Sequence, residues 1–335
     1  MVEIPCIDIG PFLTGDAPAR AAVATAWARA FEEVGFATIT GHGVPAATIA
    51  HAYDALMRFF DLPEGEKLAW TEPHSVKRHG YLPVGIVSVA RTRGEDRPAD
   101  LCEALTFEGV HLETAEQLRG LRSPLTGNLY PTEPDDLAES VRAYYMAVHR
   151  LLGTLMRLSA AALDLPEDFF VPYYDRHRSS LRCVHYPAQP VEPEPGQLRY
   201  GEHTDYRAVT ILRQDDAPGG LQACTKSGEW IDVRPVADAY VINIGDLMAR
   251  WTNDRWRSTI HRVVNPPRDA RGPTRRLSLV LFTGPNPDAV IEALPSCVDA
   301  AHPAKYGPVG ADKYIQDKLE TAMPEKLAAR VPAAV

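Results

Sequence analysis

Two histidines and one aspartate carry the chemistry that this sequence supports most directly. His203 and Asp205 stand two apart in Arg199-Tyr200-Gly201-Glu202-His203-Thr204-Asp205-Tyr206, a stretch whose pattern predicts a β-strand. Side chains alternate faces along a strand, so His203 and Asp205 aim at one point and Thr204 away from it. His261 is centred in a second predicted strand, Ser258-Thr259-Ile260-His261-Arg262-Val263-Val264. Placed beside the first pair, it completes two imidazoles and one carboxylate on one triangular face of a metal ion. An octahedral ion held that way keeps up to three positions open. A His-x-Asp tripeptide arises readily by chance in a chain with 11 His, so the weight falls on the strand context.

A second group lies further on. Arg276 and Ser278 open a predicted strand and share one of its faces by the same period of two. A guanidinium beside a hydroxyl suits the far carboxylate of a dicarboxylate, because the planar fork binds carboxylate with two parallel hydrogen bonds. Phe282 follows Ser278 by four and shares that face. Two His and one carboxylate with open positions form the donor set of non-haem Fe(II) oxygenases.

The elements that must position these residues change character along the chain. Ile4–Ile9 reads as a short strand, Ala17–Val34 as a helix stopped by Gly35, and Phe36–Thr40 as a strand. Helical patterns follow at Pro45–Phe60 and Pro63–Leu68. Residues 74–110 mix Gly, Pro and basic side chains; they read as a long functional loop ending in a strand near Glu103–Phe107. Asp135–Leu163 carries an apolar stripe at spacings of three and four and is the longest predicted helix. From about Ser180 the period becomes two. Nine short strands are expected, at Leu181–Tyr186, Arg199–Asp205, Val209–Arg213, Leu221–Cys224, Trp230–Val233, Tyr240–Ile244, Thr259–Val264, Leu277–Phe282 and Val290–Ala293. Many short strands separated by turn signals mean a sandwich or barrel. Helices are expected again from Lys305 to Ala329.

The chain has 335 residues, 45% of them hydrophobic, enough for a large core. A net charge of −9 and a pI near 5.7 argue against a nucleic-acid or anionic-membrane surface. The five cysteines are scattered and never spaced C-x-x-C, which reads as a reduced, cytoplasmic set rather than a disulfide framework or zinc site. No secretory signal and no transmembrane run is visible. Arg far outnumbers Lys, a composition that suggests a high-GC bacterial source.

With these residues in hand, the chain resembles the isopenicillin N synthase-like branch of the Fe(II)/2-oxoglutarate-dependent oxygenases. Ile4-Pro5-Cys6-Ile7-Asp8, Glu33-Val34-Gly35-Phe36 and Gly41-His42-Gly43-Val44 resemble its N-terminal landmarks. Gly80-Tyr81 and Asn128-Leu129-Tyr130-Pro131 match further ones. More specific are His185-Tyr186-Pro187, His203-Thr204-Asp205-Tyr206, Gly219-Gly220-Leu221-Gln222, Asn243-Ile244-Gly245-Asp246 and Ser258-Thr259-Ile260-His261-Arg262-Val263. The resemblance implies a mainly β fold with flanking helices, built on a double-stranded β-helix (jelly-roll). It suggests one domain over 1–335: a helical and mixed region at 1–178, the core at 179–293, and a helical segment at 294–335. It implies Fe(II) held by His203, Asp205 and His261, with 2-oxoglutarate as cosubstrate, O2 as oxidant and ascorbate as a stimulant. The cosubstrate's far carboxylate would meet Arg276 and Ser278, with a hydroxyl contact from Tyr186. Many plant members carry Asn two residues before this Tyr; Val184 stands there instead.

The resemblance implies hydroxylation, desaturation, cyclisation or epoxidation of a small molecule, in bacterial specialised metabolism. Isopenicillin N synthase and the plant ethylene-forming oxidase share the Arg-x-Ser pair, so that pair alone does not assign the cosubstrate. A metal-binding barrel without catalysis is the alternative from another class. Substrate contacts are expected from Phe282, and from Tyr81, Arg78, Arg91 and Arg93 if the 74–110 loop covers the mouth. The expected partners are a small molecule, no nucleic acid and no membrane, with the chain a monomer or weak homodimer. His42 and His185 read as structural, Asn243 and Asp246 as turn residues. His51, His74, His79, His111, His149, His177 and His302 have no ligand-like context.

Overall fold

The computed structural model describes residues 3–72, 79–95, 97–114, 116–119, 121–189 and 192–322. Twelve strands build two sheets. They are β1 (Cys6–Asp8), β2 (Phe36–Thr40), β3 (Gly80–Leu82), β4 (Glu103–Glu108), β5 (Ser180–Tyr186), β6 (Tyr200–His203), β7 (Val209–Gln214), β8 (Leu221–Cys224), β9 (Trp230–Asp232), β10 (Tyr240–Ile244), β11 (His261–Val263) and β12 (Arg276–Thr283). The large sheet runs β1-β2-β10-β7-β12-β5-β4-β3 and the small one β6-β11-β8-β9. All pairings are antiparallel except β1 with β2. Val184 and Leu212 of the large sheet pack in one cluster with Leu221, Ala223 and Val263 of the small one, so the sheets face each other. This is the double-stranded β-helix; among the described residues no ladder closes it into a barrel. A short ribbon, Val290–Ile291 with Val309–Gly310, follows.

The helices are α1 (Gly10–Thr14), α2 (Ala17–Glu33), α3 (Ala46–Phe60), α4 (Glu64–Leu68), α5 (Leu137–Ala162), α6 (Asp246–Trp251) and α7 (Ala311–Ala322). Asp16 caps α2 by accepting from the Ala19 N–H. Gly35 ends it with φ +78° and an N–H bond to Ala30 O. A side chain at Gly35 would meet the Arg257 carbonyl at 2.4 Å, so glycine is needed where the helix end abuts the segment leading to His261. Helices α2, α3 and α5 lie over the outer face of the large sheet. The α5 stripe Val141, Tyr144, Val148, Leu151 and Leu155 shares a core there with Leu181, Ile211, Ile242, Leu279 and Leu281. None of the described helices is long and apolar enough to cross a membrane.

Alternation along the strands separates this core from the site. On β12, Leu277, Leu279 and Leu281 enter the helix-covered core, whereas Val280 joins the inner cluster with Phe282 packed against it. On β5, Leu181 and Cys183 go outward while Val184 and Tyr186 go inward. Both faces are buried, so the inner face can hold polar groups away from water.

Two expectations need correction. The strand expected over Arg199–Asp205 ends at His203. Its partner β11 shifts register between His261 and Val263, and Thr204 and Asp205 leave the ladder. The imidazoles of His111, His149 and His177 are not isolated. They form a stack with ring centroids 4.2 to 5.0 Å apart, their nitrogens within 4.8 Å of one another. The His177 Nδ1 accepts from the Ser179 N–H at 3.2 Å. Burial first, then the neighbouring imidazoles, push His177 down to about 2; burial and His149 push His111 down to about 4.

A depressed histidine stabilises the fold above its unfolded pKa of about 6.5 and stops doing so as pH falls toward the folded value. The thermal midpoint should therefore drop between pH 6.5 and pH 4. His177, the most deeply buried of the three, contributes up to about 1.4 kcal/mol per pH unit across that window. His177→Asn keeps the acceptor for Ser179 and should flatten the drop, measured by calorimetric melts at several pH values.

Candidate active site

Three ligand-capable residues converge between the sheets. His203 and His261 sit directly opposite each other on antiparallel β6 and β11. Their Nε2 atoms lie 3.7 and 3.6 Å from Asp205 Oδ1. The His203 Nδ1 hydrogen-bonds Gly201 O at 2.8 Å and the His261 Nδ1 hydrogen-bonds Thr259 O at 3.0 Å. Carbonyls only accept, so each Nδ1 carries a proton and each Nε2 is the ring nitrogen turned toward the carboxylate. Phe36 meets the His261 ring edge-on, and Tyr200 the His203 ring.

Asp205 is held differently from the strand residues. Its backbone carbonyl accepts from the Asp246 N–H at 2.7 Å. Gly245 allows this approach, because a Cβ there would stand 2.2 Å from the Arg207 carbonyl. Oδ2 accepts from the Thr210 hydroxyl at 2.5 Å and the Asn243 amide at 2.6 Å. Oδ1 is thereby left to the imidazoles. Asn243 lies inside β10 rather than in the turn expected for it. Asp246 opens α6, its carboxylate accepting from Ser258. Burial opposes charge on Asp205, but His261, His203, Thr210 and Asn243 together hold its carboxyl below the usual range. Burial, then His261, pushes His203 down to about 3. One carboxylate beside two imidazoles is a donor set suited to a divalent cation.

Two cavities meet at His203 and Asp205. The inner one is lined by Val184, Tyr186, Thr210, Leu212, Gln214, Asn243, Arg276, Ser278 and Phe282 among others. Arg276 pairs across the ladder with Tyr186 and Ser278 with Gln214. The Arg276 guanidinium is 1% exposed; it donates to Gln214 Oε1 at 2.6 Å and Ala217 O at 3.2 Å, and its Nε has no partner among the described residues. Asp215 stands 3.4 Å from it. Burial drives the Tyr186 phenol upward, so it is a proton donor at neutral pH. A buried cation with an unused N–H, beside a hydroxyl and a phenol, fits the far carboxylate of a dicarboxylate.

The outer cavity is lined by Val89, Thr106, Ser180, Arg182, Tyr200, Tyr206, Arg207, Phe282, Ile315 and Leu319, with His203, Thr204 and Asp205 at its floor. Phe282 thus borders both cavities. The other residues expected to touch substrate lie elsewhere. Tyr81 is buried, its hydroxyl bonded to Glu103 at 2.5 Å in a network with Lys67 and His185. Arg93 pairs with Glu95 and is exposed. Arg91 is half-buried on the 3-10 turn Val89–Arg93 and does not line the cavity. Arg78 falls outside the described residues. The 74–110 stretch contributes an apolar side chain, Val89, and Thr106 of β4. Arg182 was missed, although it shares the inward face of β5 with Tyr186 by a spacing of four.

Residues 177–285 match the family model of the 2OG-Fe(II) oxygenase superfamily. Residues 4–126 match a model described as the N-terminal region of a non-haem dioxygenase in morphine synthesis. A 2-oxoglutarate-Fe(II) type oxidoreductase, hxnY, of Emericella nidulans is 33% identical over 318 residues, covering 93% of this chain and 88% of the relative. Validamycin A dioxygenase of Streptomyces hygroscopicus subsp. limoneus is 31% identical over 298 residues, 87% of this chain and 80% of that one. Among solved structures, a full-length Neurospora crassa protein in complex with alpha-KG and thymine aligns with TM-score 0.81 at 31% identity, covering 95% of this chain and 96% of that one.

Thr210→Val and Asn243→Leu each remove one donor from Asp205 Oδ2. Groups that orient a metal ligand are worth roughly 10- to 100-fold in metal affinity. Each variant should bind Mn(II) that much more weakly in equilibrium dialysis, with an unchanged circular dichroism spectrum.

Proposed function

The chain belongs to the 2OG-Fe(II) oxygenase superfamily, and from that premise we propose that it oxidises a small molecule held in the outer cavity above His203, Asp205 and His261. It is a 2-oxoglutarate- and Fe(II)-dependent dioxygenase, and the residues present fit both groups. Bound iron would activate dioxygen, one oxygen atom entering 2-oxoglutarate as it loses CO2 to become succinate and the other oxidising a substrate C–H bond.

The observation that carries the assignment of roles is the pair of adjoining cavities at one triad. His203, Asp205 and His261 would hold the metal through Nε2, Oδ1 and Nε2. Arg276, with its spare Nε, binds the far carboxylate of 2-oxoglutarate, and Ser278 and Tyr186 add hydroxyl donors. Gln214 and Asp215 fix the guanidinium so that this recognition costs little reorganisation. Phe282 separates the cosubstrate from the substrate. Ile315 and Leu319 of α7, with Val89, cover the outer cavity and exclude water.

The acidic net charge supports a small-molecule substrate over a polynucleotide. The five free cysteines support a cytoplasmic setting, where thiols stay reduced. The Arg-rich composition and the Streptomyces relative support a place in bacterial specialised metabolism.

Succinate release decides the reading. Purified protein with Fe(II), ascorbate and 2-oxoglutarate should release succinate in proportion to added substrate, across a panel of small organic acids and heterocycles. His203→Ala should abolish it. Arg276→Gln should raise the KM for 2-oxoglutarate by about 10-fold or more, since it removes a charge-assisted carboxylate contact. Equal succinate yields from the native protein and His203→Ala would refute the proposal.

A further inference from the structure

The outer cavity holds a cation that no acidic side chain among the described residues neutralises. Arg182 is 5% exposed, on the inner face of β5. Its Nε and Nη2 have no hydrogen-bond partner among the described residues. These two nitrogens form one edge of the guanidinium, with parallel N–H bonds spaced to meet two oxygens of one carboxylate. Thr106 is its neighbour across the β4–β5 ladder and lines the same cavity; the Thr106 hydroxyl is also buried and unpartnered. The other cavity cation, Arg207, is committed: it pairs with Glu108 at 2.9 Å and donates to Arg178 O at 2.7 Å. Asp205, whose carboxylate faces the imidazoles, is the one acidic side chain among the described residues lining the cavity. Buried polar groups are normally satisfied, and a buried charge without a counter-charge is strongly disfavoured.

We propose that Arg182 anchors the substrate, and that the substrate is a carboxylic acid whose carboxylate lies on the Nε–Nη2 edge of Arg182 beside Thr106, with an apolar body against Phe282 and the α7 side chains. This deepens the dioxygenase reading and rests on it. The anchor sits on the same strand as Tyr186, so substrate and cosubstrate carboxylates are read by different arginines on adjacent strands, Arg182 on β5 and Arg276 on β12. A substrate held at its carboxylate end presents its apolar body, and so its C–H bonds, toward His203 and Asp205.

Thermal melts of the full chain with Mn(II) and saturating 2-oxoglutarate test this without turnover. The probes are benzoate, cinnamate and cyclohexanecarboxylate, each paired with its uncharged primary amide, and thymine as a neutral planar ring. Mn(II) with 2-oxoglutarate should raise the midpoint of the native protein, Arg182→Gln and Arg182→Lys alike, showing that all three fold and that the cosubstrate site is intact. At least one acid should raise the native midpoint further, with its amide at least tenfold weaker in apparent affinity. Arg182→Gln should weaken that acid at least tenfold, and Arg182→Lys, which keeps the charge but loses the fork, should fall between. An amide or thymine binding as tightly as the acids, no response to any acid, or acid binding that survives in Arg182→Gln overturns the proposal. No response of the native protein to Mn(II) and 2-oxoglutarate would instead remove the cosubstrate reading beneath it.

Discussion

Asp205 is a carboxylate withdrawn from water, and the architecture follows from keeping that charge. One oxygen needs donors, and these come from Thr210 on β7 and Asn243 on β10, neighbours in the large sheet. The other oxygen needs cationic or metal-sharing partners, and these come from β6 and β11 in the small sheet. The backbone of Asp205 is tied to the start of α6. A single residue therefore ties both sheets and a helix to one point. Removing any one tie would leave a buried charge short of partners, which is more costly than never burying it.

Much of this was legible in the sequence because period two is a local property. Arg276, Ser278 and Phe282 fall on one face in the structure as their spacing requires. Phe36–Thr40, Leu221–Cys224 and Tyr240–Ile244 begin and end where expected. What failed was long-range. Asp205 reaches the site from beyond its strand, held by a backbone bond to Asp246 that no local pattern announces. The stack of His111, His149 and His177 joins a 3-10 turn, α5 and the approach to β5, three places with no common period. The basic residues of 74–110 suggested a charged lid, but charge alone does not say which side of a loop faces inward; Val89 does. Arg182 obeyed the alternation rule, and only its Nε–Nη2 edge, unpartnered among the described residues and so a property of the folded chain, gives it meaning.

The two cavities are built from unlike materials. The inner one is walled by β5, β7, β10 and β12 of the large sheet and by β6, β8 and β11 of the small one, each set joined by ladders. Such walls resist local opening, which suits a cosubstrate of constant shape. The outer one is completed by a 3-10 turn and by α7, which packs against that turn. These elements contribute side chains without sharing the ladders. Precision is concentrated where one molecule must always fit, and adaptability where the occupant defines the reaction.

The two-faced strands give this division a consequence for substitutions. On β12, Leu279 and Leu281 support the helical layer on one side while Ser278 and Phe282 face the chemistry on the other. Packing of the outer layer and geometry of the site therefore share one strand backbone. Val89, Ile315 and Leu319 line the outer cavity from a 3-10 turn and a helix, outside the ladders that hold the triad. Substitutions at Val89 and Leu319 would reshape the outer cavity while leaving in place the side chains that hold the triad.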